Sequence, residues 1–245
     1  MSRPRVVLFD LDDTLFAHRE AVDAGIVSYL GELGGAYAGA DASGSVALWN
    51  SLEEQHYHSY LAGELDFEGQ RRARARDFAA SLGVELADAE ASDWFQSYLA
   101  HYRGGWRLHD DALPALDALV EADAAVRFGL ITNGELGYQL GKIERVAIGP
   151  RLEHIVASGE LGVTKPDRRI FEHAVALFGV DPSTAVYVGD RLRTDAIGAA
   201  HAGLAGVWIN RRGVEPSADE RADAAAAGVQ RIASLSELPA LLARL

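Results

Sequence analysis

Apolar residues in this chain fall into short unbroken runs, separated by longer stretches where they recur at helical spacing. The first run is Val6-Val7-Leu8-Phe9, followed later by runs at residues 126–131, 155–157, 185–188 and 206–209, with a weaker one at 229–232. Runs of this length suit strands buried on both faces, the pattern of a parallel sheet covered by helices. Helices are predicted between them, over 112–122, 135–146, 168–178, 194–202 and 235–242. In the third of these, Ile170, Phe171, Ala174, Val175 and Phe178 share one face. Residues 17–105 break the alternation and read as consecutive helices, with polar breaks at 31–44, Gly63 and Gly83. Their candidate apolar faces are Leu48, Leu52, Tyr60 and Leu61, then Phe67, Phe78 and Leu82, then Trp94, Phe95, Tyr98 and Leu99. An α/β core over 1–16 and 106–245, with an all-helical insertion over 17–105, is the expected organisation.

The first run leads straight into Asp10-Leu11-Asp12-Asp13-Thr14-Leu15. Aspartates are poor strand formers and are rarely buried unpaired. Asp10 and Asp12, two residues apart in extended chain, point the same way. Two carboxylates about 4 Å apart repel by about 4 kcal/mol at an effective dielectric near 20. A hard divalent cation with oxygen ligands, Mg²⁺, relieves that repulsion economically.

Other strand ends also carry polar residues, and parallel strands bring such ends to one edge, where open α/β sheets bind ligands. The second run ends at Thr132-Asn133-Gly134, and the fourth at Gly189-Asp190 with Asp195 beyond. Thr164-Lys165-Pro166-Asp167 lies between the third and fourth. Each has an ordinary reading. Asn133-Gly134 is a common hairpin pair, but a helix is expected next, which suits a strand-to-helix turn with oxyanion donors. Lys165, extended before Pro166, could be a surface lysine, with Pro166 and Asp167 opening a helix. Asp190 could be a cap and Asp195 a solvated helix residue.

Composition narrows the classes. An apolar fraction of 49% and a charged fraction of 24% are those of a globular protein. The absence of cysteine excludes disulfides, thiolate metal sites and cysteine nucleophiles, and fits a cytoplasmic location. The start, Met1 to Arg5, is positively charged, but the apolar run behind it is too short for a signal peptide, and no segment reads as a membrane span. A formal net charge of −13 disfavours nucleic acid and anionic membrane as partners. A small phosphorylated substrate remains compatible, because a local metal and a lysine overcome a negative global field.

The ordered set resembles the haloacid dehalogenase superfamily. Its four motifs match Asp10 to Leu15, then Thr132 with Asn133, then Lys165 in Lys165-Pro166-Asp167, then Gly189-Asp190 through Asp195. The resemblance covers about residues 5–15 and 108–243, with the helical insertion where many members carry a cap. It implies a Rossmann-like core and phosphoryl transfer through an aspartyl-phosphate. Asp10 would be the nucleophile. Mg²⁺ would be held by Asp10, the main-chain carbonyl of Asp12, and Asp190. Lys165 would bridge Asp10 and a phosphate oxygen, while Thr132 and backbone amides near Asn133 position the phosphoryl group. Asp195 would orient the metal site without binding directly. Asp12, its proton affinity raised by nearby Asp10, would protonate the leaving alcohol and then activate water. Two positions depart from common forms of the motifs: Arg191 replaces a small polar residue, and Asp13 stands where many members have glycine.

A Mg²⁺-dependent phosphatase of a small metabolite, a nucleotide or sugar phosphate, is the leading expectation. A phosphomutase of the same superfamily and a non-catalytic phosphate-binding or regulatory protein are the alternatives. Substrate choice would fall to the cap. His18 near its entry is a candidate pocket residue, against an ordinary reading as a solvated helix start. Arg71, Arg72, Arg74 and Arg76 read better as a solvated surface than as an anion site, because acids lie nearby. Trp49, Tyr57 and Tyr60 read as core aromatics before stacking platforms. His56 and His58 alternate and do not share a helical face, so they do not form a joint metal site. No segment reads as a dimer seam.

Overall fold

The computed structural model describes residues 4–245; the first three residues of the positively charged start lie outside the described residues. Two compact units divide the chain. One runs up to Ala17 and resumes at Arg107–Leu245, and the other is His18–Trp106.

The first unit is built on six parallel strands: β1 (Val6–Phe9), β2 (Arg127–Thr132), β3 (His154–Ala157), β4 (Ala185–Gly189), β5 (Ala205–Ile209) and β6 (Gln230–Ile232). Their spatial order is β3-β2-β1-β4-β5-β6. The chain therefore builds outward from β1 in one direction and, from β4, in the other. A crevice opens beyond the strand ends at such a reversal. Phe9 lies level with both Leu130 and Val188, so Asp10 emerges between the ends of β2 and β4.

The second unit holds four helices, α1 (His18–Leu33), α2 (Ala42–Leu61), α3 (Phe67–Ser81) and α4 (Asp88–Gly104). Trp49 is fully buried at its centre, with ring contacts to Phe78 (5.3 Å), Trp94 (5.4 Å) and Tyr98 (4.7 Å). Two arginines depart from the solvated surface expected of them. Arg74 is buried, lying 3.8 Å over Trp49 and 2.8 Å from Glu53, and Arg71 is buried 3.9 Å over Phe67. Flat guanidinium groups stack on aromatic faces while keeping an ionic partner, which is why they can enter this core. Burial pushes the Glu53 carboxyl up, but Arg74, His18 and Arg19 outweigh it and hold it well below the usual range. His18 is tied down by Tyr102 at 2.8 Å, and His56 by Asp77 at 2.8 Å.

The remaining helices cover the sheet: α5 (Ala112–Ala122), α6 (Leu136–Arg145), α7 (Ser158–Leu161), α8 (Arg168–Phe178), α9 (Gly198–His201), α10 (Ala218–Ala226) and α11 (Leu238–Leu242). Helix α8 buries the face expected of it against Val6, Leu8, Ile131 and Tyr187. Each large side chain so buried contributes about 1.5–3 kcal/mol. Gly129 in β2 makes room for this packing, because a Cβ there would lie 2.7 Å from Phe178. Asp167 caps α8 by accepting from the Arg169 amide at 2.9 Å, so Pro166 and Asp167 precede the helix and do not form its first turn. The helix expected over 194–202 is instead a π-helical turn (Leu192–Ile197) that runs into the short α9. π-turns of this kind often occur at functional sites.

Candidate active site

Asp10 follows β1 and anchors its main chain to the sheet by donating from its amide to Val188 O at 2.9 Å. The chain then turns sharply, and Asp13 adopts φ 61°. This is the left-handed region that glycine enters without steric cost. Aspartate is among the few other residues that tolerate it, so Asp13 can hold the turn that a glycine would otherwise serve.

Lys165 comes from the loop before α8 and is 4% exposed. Its ammonium donates to Asp10 Oδ1 (2.6 Å), Asp195 Oδ1 (2.7 Å) and the Tyr187 hydroxyl (2.8 Å). Three N–H groups thus meet three acceptors. Burial works against the charged form, but Asp10, Asp195 and Tyr187 hold Lys165 well above its ordinary value. Tyr187, on β4, relays the network by donating to Ile131 O at 3.1 Å.

Asp10, Asp190 and Asp195 each offer a carboxylate oxygen, all within 4.8 Å of one another. Asp195 is buried and not a solvated helix residue. Its Oδ1 accepts from Lys165, and its Oδ2 accepts from the Arg191 amide at 2.9 Å. That second bond is made by the main chain of Arg191. Asp190 does not cap a helix; its carbonyl accepts from Trp208 Nε1 at 2.9 Å.

One lysine does not balance this acidic cluster. Burial pushes Asp10 up to about 7, with the Asp195 and Asp12 charges adding to it against Lys165. Burial likewise raises Asp190 well above the carboxylate range, helped by Asp195, Asp10 and Asp13. Oxygen-only donors with surplus negative charge fit a hard divalent cation. Because both Asp195 oxygens are already engaged, Asp10 and Asp190 are the better ligands of the three.

Thr132 ends β2 and is buried, with its hydroxyl oxygen accepting from Gln139 Nε2 at 2.6 Å. The Asn133 side chain clamps the lysine loop, donating to Lys165 O (3.0 Å) and accepting from Lys165 N (2.8 Å). The Gly134 amide is engaged by Ser158 Oγ at 3.0 Å.

Asp12 has a neighbour that the sequence reading did not include. Lys142 Nζ lies 2.7 Å from both of its carboxylate oxygens, and its positive charge opposes the influence of Asp10. Sequence reasoning also missed Gln139, Tyr187 and Trp208. Each works from the interior of a regular element, where no motif marks it.

A family model described as haloacid dehalogenase-like hydrolase matches residues 4–203. The human N-acylneuraminate-9-phosphatase is 30% identical over 99% of this chain and 95% of its own length. The glyceraldehyde 3-phosphate phosphatase of Methanopyrus kandleri is 30% identical, covering 88% of this chain and 89% of that protein. The solved structure of the HAD-hydrolase YfnB from Bacillus subtilis covers 98% of this chain and 99% of its own, with TM-score 0.77 and 19% identity, a likeness of fold. With the ordered motifs gathered at one sheet edge, these matches establish that the chain belongs to the haloacid dehalogenase-like hydrolase family.

Proposed function

We propose that this hydrolase removes the phosphoryl group from a small phosphorylated metabolite in two steps through Asp10. The observation that carries the reading is the buried Lys165 ammonium, bonded to Asp10 at 2.6 Å and to Asp195 at 2.7 Å inside a cluster of three carboxylates. Asp10 Oδ2 is the nucleophilic oxygen, since Oδ1 is bonded to Lys165. As it attacks phosphorus, the bond to the leaving oxygen breaks and Asp12 supplies that oxygen's proton. Asp12 then takes a proton from water, whose oxygen attacks phosphorus and breaks its bond to Asp10, releasing phosphate and restoring the Asp10 carboxylate. Thr132 donates its hydroxyl proton to the phosphoryl oxygens, and Lys165 spreads positive charge towards them.

Mg²⁺, held by Asp10, the Asp12 carbonyl and Asp190, would neutralise charge between the carboxylate and the anionic substrate. Two relatives that match most of the chain are named for a phosphorylated sugar acid and a phosphorylated triose. That supports a sugar phosphate as substrate, ahead of a nucleotide. The test is phosphate release from sugar phosphates, nucleotides and organic-acid phosphates, with Mg²⁺ and with chelator. Release that needs the cation and vanishes in Asp10→Asn is expected. Turnover retained by a folded Asp10→Asn protein would remove Asp10 as nucleophile.

A further inference from the structure

We propose that Lys142 and Gln139, both on α6, are positioning residues: Lys142 fixes the Asp12 carboxylate, and Gln139 sets the direction of the Thr132 hydroxyl. The inference rests on the hydrolase reading above. Lys142 and Gln139 are 2% and 3% exposed, whereas the Asp12 side chain is 29% exposed. The two donors thus grip Asp12 from the buried side.

Lys142 Nζ reaches Oδ1 and Oδ2 at 2.7 Å each, and Gln139 Nε2 adds a 3.2 Å bond to Oδ2. Bonds to both oxygens fix the rotation of the carboxyl plane as well as its place. The ammonium itself sits 5.3 Å from the ring centres of Phe16 and of Tyr138, which restrict its movement.

Gln139 has a second consequence. Its NH₂ group touches two acceptors, the Asp12 carboxylate and Thr132 Oγ1 at 2.6 Å. Turning the amide over would set its oxygen against the carboxylate, so the NH₂ group must face this way. Thr132 therefore accepts from Gln139 and has its own proton left to donate. That is the polarity an incoming phosphoryl oxygen requires. The strip Thr132–Gln139–Asp12–Lys142 thus couples the phosphate-holding end of β2 to the proton-transfer group.

Two substrates separate positioning from mere structure. p-Nitrophenol leaves as a stable anion and needs no proton, whereas a sugar alcohol does. Displacing a reacting group by about 1 Å can cost about 100-fold. Lys142→Met is expected to lower kcat/KM about 10- to 100-fold on a sugar phosphate and by much less on p-nitrophenyl phosphate. Added to Asp12→Asn, it should cause no further loss. Equal losses on both substrates, or losses that multiply in the double variant, overturn the positioning role.

Gln139→Leu keeps the ion pair and decides the matter if Lys142→Met does not fold. It should lose about 10-fold on p-nitrophenyl phosphate, where the proton from Asp12 is not needed, and that loss should vanish in a Thr132→Val background; an undiminished loss there overturns the inference. Wild-type protein inert on both substrates would instead overturn the hydrolase reading itself.

Discussion

Asp111 offers a quantitative test of how the motif loop is held. It precedes α5, but its side chain makes no cap bond there. Instead, it accepts from Arg211 Nη1 (2.8 Å) and Nη2 (2.9 Å), Ser234 Oγ (2.7 Å) and the Leu235 amide (2.9 Å). Arg211 also donates to Thr14 O at 2.8 Å, so the pair braces the loop that follows Asp10. Burial pushes the Asp111 carboxyl up, but Arg211, Ser234 and Leu235 bring it down to about 2 from 3.8. At about 1.4 kcal/mol per unit, the ceiling on its contribution is about 2.5 kcal/mol. The ion pair is partly open to solvent, with both side chains 18% exposed, and screening reduces this to about 1–2 kcal/mol.

The sign follows from the lowered value. The contribution is complete above about pH 4, where the unfolded chain is ionised, and is lost as pH falls towards 2. About half should remain at pH 3. Asp111→Asn keeps the shape and removes the charge, so it should cost about 1–2 kcal/mol at pH 7 and about half of that at pH 3. Urea unfolding of both proteins at pH 7, 4 and 3 measures the difference. A gap that stays constant down to pH 3 would refute an electrostatic origin.

Three further outcomes are expected. Gly189→Ala should destabilise the protein by about 3 kcal/mol or more, measured by urea unfolding, because its Cβ would lie 2.4 Å from the Asp195 Cβ and Cγ atoms. Tyr187→Phe removes an acceptor for Lys165 and a donor to Ile131 O; it should cost about 1–2 kcal/mol and lower kcat more than it changes KM. Mg²⁺ at about 100 times its Kd should stabilise the wild type by about 2.7 kcal/mol, or about 5–10 °C for a chain of this size. In Asp190→Asn that thermal shift should largely disappear, and an undiminished shift would place the cation elsewhere.

How much of the molecule can be read from sequence depends on whether one physical pressure acts on a residue or two. Helix α8 answers only to burial, and its apolar face could be read off the spacing of Ile170, Phe171, Ala174, Val175 and Phe178. The strands are similar, because a run buried on both faces has little freedom in composition. Motif residues at strand ends were also legible, since aspartates are poor strand formers and Asp10 and Asp190 stand at the ends of apolar runs, in order with Thr132 and Lys165. Arg71 and Arg74 were misread because local charge suggested solvent, while stacking on Phe67 and Trp49 let them enter the core.

Helix α6 shows the second pressure most directly. An apolar residue, Leu140, is 42% exposed, while Gln139 and Lys142 are buried beside Ile143. Burying a lysine and a glutamine costs several kcal/mol unless each finds a partner. A helix driven by burial alone would rotate Leu140 inward. The observed rotation is stable because Asp12 and Thr132 supply the partners, and both lie outside α6, Asp12 far from it in sequence. Periodicity within the helix therefore cannot reveal the site-facing side, since the reason for that orientation belongs to the ends of β1 and β2. A polar residue inside a helix that buries its charge while a nearby leucine stays exposed is, for this fold, a mark that the helix faces chemistry as well as core.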